Sequence, residues 1–163
     1  MASGPFAHVC LLVNDLDSAI ANWTKILQVL DPQQLERPIV RYESFGGGED
    51  AGLRWACFVA DHGTEIQLMQ PAPGTPLFER LQQRGEHVHH LCFTTADVPG
   101  ALDELEAKGI KLPTKQLFYD EEEKWQKWGW ASARSAHGVL IEIASPYETH
   151  DDGRWYPAGS AKT

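Results

Sequence analysis

"HVCLLVNDLDSAIANW" (residues 8–23) and "HLCFTTADVPGALDEL" (residues 90–105) are one motif written twice, at an offset of 82 residues. At that shift His8 meets His90, Cys10 meets Cys92, Asp15 meets Asp97, Ala19 meets Ala101, Ile20 meets Leu102 and Trp23 meets Leu105. A second pair follows in the same order. "GTEIQLMQP" (63–71) matches "GVLIEIASP" (138–146) at an offset of 75, with Gly63 on Gly138, Ile66 on Ile141, Gln67 on Glu142 and Pro71 on Pro146. Two matches in one order indicate a duplicated module, and a repeat of this kind governs the fold before any residue-level reading does.

Each copy reads as a strand, a helix and then further strands. Residues 8–13 are a short apolar run, after which Asp15 or Asp17 offers an N-cap. "DSAIANWTKIL" puts Ala19, Ile20, Trp23, Ile26 and Leu27 on one helical stripe. In the second copy Asp97 caps, Pro99 sits in the first turn, Leu102 and Leu105 face inward, and Gly109 supplies the stop. "RWACFVA" and "TEIQLMQ" flank "DHG" and read as a hairpin. The expected fold class is therefore α+β: two tandem βαβββ modules forming a concave sheet around a shared site. Module 1 is expected at about residues 6–72, a linking helix at 75–85, module 2 at 87–146, and an extended surface tail at 147–163, all within one domain spanning 1–163.

The bulk numbers narrow the function classes. A chain of 163 residues can bury a core without staples. A net charge of −9 leaves no basic face for phosphates, which excludes nucleic acid as the expected partner. No apolar run approaches the ~20 residues of a membrane span. The start "MASGPFAHVC" has neither a charged n-region nor an apolar h-region, so no secretory leader is expected. Cys10, Cys57 and Cys92 are an odd count without CxxC spacing, which suits a reducing cytoplasm better than a disulfide framework.

Strand alternation sorts the polar residues. "GEHVHHLCFTT" (85–95) holds three histidines, and the repeat ranks them: His90 matches His8, His89 points to the opposite face, and His87 stands at the strand's entrance without a role. Together the repeats put His8, Gln67, His90 and Glu142 at equivalent strand positions. A single strand histidine is ordinarily a hydrogen-bonded structural residue, and a single Gln a surface one. Glu142, flanked by "VLI" and "IA", is costly to bury unpaired. As a set, two imidazoles, a carboxylate and an amide oxygen suit one divalent first-row metal ion: Co, Ni, Mn, Zn or Fe.

The stretches "HVCLLVNDLDSAIANW", "GTEIQLMQPAPGTPLFERLQQRGEHVHHLCFTTADVPGALDELEAKGIKL" and "HGVLIEIASP" resemble the vicinal oxygen chelate superfamily, which includes glyoxalase I, extradiol dioxygenases and the bleomycin resistance proteins. Within it they look most like the methylmalonyl-CoA epimerases. The resemblance covers about residues 6 to 146. It implies a glyoxalase-like fold and the metal ligands His8, Gln67, His90 and Glu142. It also implies a metal-dependent isomerase or epimerase working through an enolate on a small-molecule substrate such as an acyl-CoA. Glu142 would serve as ligand and as one acid/base, and Asp50, with Glu49 beside it, is the nearest match for the other. A homodimer is implied as well.

The chain departs from the epimerase pattern at "LFYDEEEKWQKWGWASARSAHGVLIEI" (117–143). Asp120 to Glu123 would repel a CoA phosphate nearby. Trp125, Trp128 and Trp130 suit an aromatic pocket or core packing. Arg41, Arg54, Lys111, Lys115 and Arg134 are the scattered basic candidates for gripping CoA. Two alternatives follow: an Fe(II) extradiol-type dioxygenase, which needs only two His and one carboxylate, and a non-catalytic binder of a drug-like molecule on the same fold.

Overall fold

The Asp15 side chain accepts the Ser18 backbone N–H at 2.7 Å and starts the first helix where its spacing requires. The computed structural model describes residues 6–45, 51–61 and 64–160. In chain order the elements are β1 (Phe6–Leu12), α1 (Leu16–Leu30), β2 (Val40–Phe45), β3 (Leu53–Phe58), β4 (Glu65–Gln70), α2 (Pro76–Arg84) and β5 (His87–Thr94), then α3 (Val98–Ala107), β6 (Phe118–Tyr119), β7 (Lys127–Ala131), β8 (Leu140–Ala144), β9 (Tyr147–Thr149) and β10 (Trp155–Pro157). A 3-10 turn, Pro32–Leu35, follows α1. The fold is α+β, and each copy of the repeat runs β-α-β-β-β.

The chain divides into two compact units. The first holds residues 9–89 with 151–153; the second holds 6–8, 90–150 and 154–160 of the described residues. In the first, β2 and β3 pair antiparallel, as do β3 and β4, in the order β2-β3-β4-β1. Leu16, Leu27, Ala56, Phe58 and Leu68 form its core, with Ala19, Ile20 and Trp23 packed on the rim. Ile26 departs from the expected stripe. It is 42% exposed at the edge of the stripe, while Leu27 beside it is buried in that core. Gln67 stands on β4 opposite Cys57, on the face away from Ile66 and Leu68, which pack in the α1 core. Thr75 caps α2 through the Phe78 N–H at 3.3 Å, and Gly85 ends it at φ 72°.

The second unit repeats the order as β6-β7-β8-β5. β5 and β8 lie parallel, a pairing that requires a long crossover, here the chain from α3 to β7. Asp97 caps α3 through the Gly100 N–H at 3.0 Å. Gly109, at φ 87°, follows its end in the left-handed region that favours glycine. Val98, Leu102, Ala131 and Ile143 form the core. Gly129 lets α3 approach β7: a Cβ there would stand 2.5 Å from Leu102 Cδ1.

The segment after Pro146 is not the extended surface tail its polarity suggested. Tyr147, Glu148 and Thr149 pair antiparallel with Pro157, Tyr156 and Trp155. Thr149 is 2% exposed. Its aromatic residues favour strands, and they outweigh the Gly and Pro content that read as irregular. No helix among the described residues is long and apolar enough to cross a membrane.

Candidate metal centre

The register of the second unit builds the site. Cys92 on β5 stands opposite Glu142 on β8, which stands opposite Trp130 on β7, and His90 stands opposite Leu140. Alternation turns Ile141 and Ile143 to the α3 core, so His90, Cys92, Glu142 and Trp130 share the other face. His8, near the start of β1, belongs to the same unit. His8 Nε2 lies 3.0 Å from His90 Nε2 and 3.4 Å from Glu142 Oε2, and His90 Nε2 lies 3.1 Å from Glu142 Oε2. All three residues are buried.

Three groups rich in lone pairs do not face one another at such distances without a shared cation, either protons or a metal ion. Ionisation decides which donors are available. Burial alone would raise the Glu142 carboxyl, but hydrogen bonds from His8 and His90 outweigh it and hold the carboxyl well below the usual carboxylate range. For His90 burial dominates and lowers its pKa, against the pull of Glu142. The set is therefore a carboxylate beside a neutral imidazole at ordinary pH, the state a metal ligand needs. Spacings of 3.0 to 3.4 Å also suit neighbouring ligands in a coordination shell with bonds of about 2.1 Å. The residues present fit a divalent ion.

Two further residues belong to this centre. One ligand atom each from His8, Cys92 and Glu142 lies within 4.8 Å of the others, so a buried thiol joins the cluster. Its signal was in the sequence: Cys92 follows His90 by two and so shares its face. Tyr147 Oη lies 2.5 Å from His8 Nδ1. That contact comes from the β9–β10 hairpin, which has no counterpart in the repeat. Aromatic rings enclose the imidazoles, with Trp130 edge-on to His90 at 5.4 Å and Trp155 tilted against His8 at 6.1 Å between ring centroids.

The other expected residues fall as follows. Gln67 belongs to the first unit, is buried, and its Nε2 finds no hydrogen-bond partner. Glu49 and Asp50 lie outside the described residues. His87 Nδ1 stands 2.7 Å from the Gly85 carbonyl and Arg80 Nε donates to its Nε2 at 3.2 Å. Of the basic candidates, Arg41 and Arg54 are both tied to Asp17 and Glu43 at 2.6 to 3.2 Å, and Lys115 pairs with Glu106 at 2.7 Å. The acidic run is a turn in which Asp120 Oδ1 accepts the Glu122 and Glu123 N–H groups, while Glu123 accepts from the Trp125 indole. Trp128 stacks on Phe118 at 6.0 Å, on the same sheet face as Trp130.

Known proteins agree with this architecture. Residues 7–126, well over half of the chain, match the Glyoxalase/Bleomycin resistance protein/Dioxygenase superfamily. No curated protein matches the chain by sequence. Among solved structures, methylmalonyl-CoA epimerase from Mycobacterium tuberculosis is similar at 22% identity and a TM-score of 0.66, covering 89% of each chain. A Streptomyces coelicolor methylmalonyl-CoA epimerase variant in complex with 2-nitronate-propionyl-CoA is similar at 21% identity and a TM-score of 0.65, covering 88% of this chain and 98% of that one. A hypothetical protein from Bacillus halodurans C-125 is similar at 17% identity and a TM-score of 0.68, covering 91% and 98%. At these identities the solved structures speak for the fold, and the superfamily match speaks for descent. The chain belongs to the glyoxalase/bleomycin resistance/dioxygenase superfamily.

Proposed function

We propose that this protein is a metal-dependent isomerase, an epimerase in its narrower form, that removes and returns a proton on a carbon next to a carbonyl. The observation that carries the proposal is the convergence of His8 Nε2, His90 Nε2 and Glu142 Oε2. A divalent Co, Ni, Mn, Zn or Fe ion there would polarise the substrate carbonyl and stabilise the enolate's negative charge. His8 and His90 would hold the ion through their Nε2 atoms. Gln67 is proposed as a fourth ligand through its Oε1, on the strength of its repeat match to Glu142 and the family resemblance.

Glu142 is proposed as both ligand and acid/base, its second oxygen exchanging the α-proton. A carboxylate held below its usual range is a weak base by itself. The proposal therefore needs the carbonyl to be polarised enough to acidify the α-carbon. Epimerisation also requires a partner on the opposite face of the substrate, and Glu49 or Asp50 is proposed for it. Burial of the donors and the rings of Trp130 and Trp155 keep bulk water from the reacting carbon.

The proposed substrate is a 2-substituted thioester like the acyl-CoA bound by the Streptomyces relative. With Arg41, Arg54 and Lys115 occupied by carboxylates, CoA phosphates would fall to Lys111 and Arg134. These are exposed side chains on neighbouring segments joined by a hydrogen bond from Ser132 N–H to the Lys111 carbonyl at 2.8 Å.

Metal analysis of the purified protein should find close to one equivalent of ion. In deuterated water, methylmalonyl-CoA should gain deuterium at its α-carbon. Glu142→Gln should lower that exchange by about 10²–10⁴-fold, the usual worth of a positioned acid/base. Absence of metal after reconstitution would reject the centre, and metal without exchange would reject the substrate.

A second reading has its own support. Two histidines and one carboxylate are also the facial donor set of Fe(II) oxygenases, and Phe118, Trp128 and Trp130 line one sheet face beside Glu142. Bound iron with oxygen uptake on a catechol would favour that extradiol-type reading. An apolar ligand held without any metal would favour a binding protein.

A further inference from the structure

We propose that Tyr147 is the positioning residue of this centre: its hydroxyl oxygen accepts a hydrogen bond from the Nδ1–H of His8 and so presents the Nε2 lone pair to the metal. The inference rests on the reading of the donor cluster as a metal site.

A neutral imidazole carries one proton, and only the unprotonated nitrogen can bind a metal. His8 Nε2 faces His90 and Glu142. If the proton sits there, the cluster loses a ligand. With an ion bound, the proton that Nε2 otherwise donates to Glu142 must sit on Nδ1, and a proton on a buried nitrogen needs an acceptor. Tyr147 Oη, at 2.5 Å, is the acceptor in place. Metal-bound histidines are commonly held in this way from the far side of the ring, by a carboxylate, a carbonyl or water. A phenol is an uncommon choice, and it makes the interaction depend on where one ring is placed.

The hairpin places that ring firmly. Tyr147 stacks on Trp155 with ring centroids 4.3 Å apart and planes 19° from parallel. Its strand is in register with β10 through Tyr147–Pro157, Glu148–Tyr156 and Thr149–Trp155. Thr149 is buried beneath. Glu148 fastens the other side, accepting from His150 Nε2 at 2.6 Å, Ser160 Oγ at 3.3 Å and the Gly159 N–H at 3.4 Å. The hairpin is thus a clamp, built outside the repeated modules, on one ligand of a site that the modules supply.

Tyr147→Phe tests this, because it keeps the ring and its stack and removes the hydroxyl alone. Co(II) affinity would be measured by competition with a chromogenic chelator, and the visible Co(II) spectrum recorded for both proteins. The expected result is a loss of affinity of about 10–100-fold and a changed Co(II) spectrum, with the apoprotein still folded by circular dichroism. Wild-type affinity and spectrum in Tyr147→Phe would overturn the role of Tyr147 and leave the metal site standing. Failure of the wild-type protein to bind Co(II) would overturn both. If Tyr147→Phe does not fold, 15N NMR of the zinc-loaded wild-type protein reads the same quantity. A protonated, hydrogen-bonded His8 Nδ1 supports the proposal, and an unprotonated one overturns it.

Discussion

Gln67 is buried with an amide nitrogen that makes no hydrogen bond, a defect that costs about 1–3 kcal/mol in a folded protein. A residue kept for packing alone would be replaced at a gain; one kept for a ligand would not. Gln67→Met should leave the apoprotein at least as stable in urea unfolding, while weakening Co(II) or Zn binding by about tenfold or more, comparable to the loss of a supporting residue. Lower stability with unchanged metal affinity would make Gln67 a structural residue. His8, His90 and Glu142 were legible because a strand period of two and a repeat at a fixed offset point to the same side chains. Tyr147 and Cys92 were not singled out. Tyr147 has no mate in the repeat, and Cys92 entered the sequence reading only as the mate of Cys10 and one of three cysteines.

Among the elements, the β9–β10 hairpin stands where the polarity of residues 147–163 suggested an extended surface segment. Polar side chains satisfied by one another, Glu148 with His150 and Ser160, do not need solvent. The hydrogen bond from His150 is the main cause that holds the Glu148 carboxyl below its ordinary value of 4.5. A carboxyl depressed in the folded state stabilises above its unfolded pKa, and that contribution is lost as pH falls through the folded value. The hairpin should therefore loosen below about pH 4.5 in wild-type protein, read as a change in Trp155 fluorescence, and Glu148→Gln should show the change already at neutral pH. A pH-independent signal in both proteins would remove Glu148 from this role. Helices were more legible, since caps and glycine stops are local. The exception is Ile26 of α1, which lies at the edge of the apolar stripe and stays half-exposed while Leu27 beside it is buried.

Across the whole molecule, the duplicated module accounts for the matching strand orders β2-β3-β4-β1 and β6-β7-β8-β5. The repeat was readable because it preserves capping and strand positions, even where residue types changed. The three cysteines are all buried. Burial is the main reason the Cys57 thiol lies well above its usual range, with the charge of Glu65 adding to it. A thiol reagent such as Ellman's should find no rapidly reacting group in the native protein and three after denaturation. A fast-reacting thiol in the native state would show that one of these sites opens.

The donors and their clamp span the chain from residue 8 to residue 147, with Trp155 beyond. His8 leaves the ribosome early, yet none of its partners exists until most of the chain has been made. A nascent chain has a lone histidine and no place for an ion until β8 forms beside β5. An ion bound as proposed would meet its full donor set only after β8 has been made.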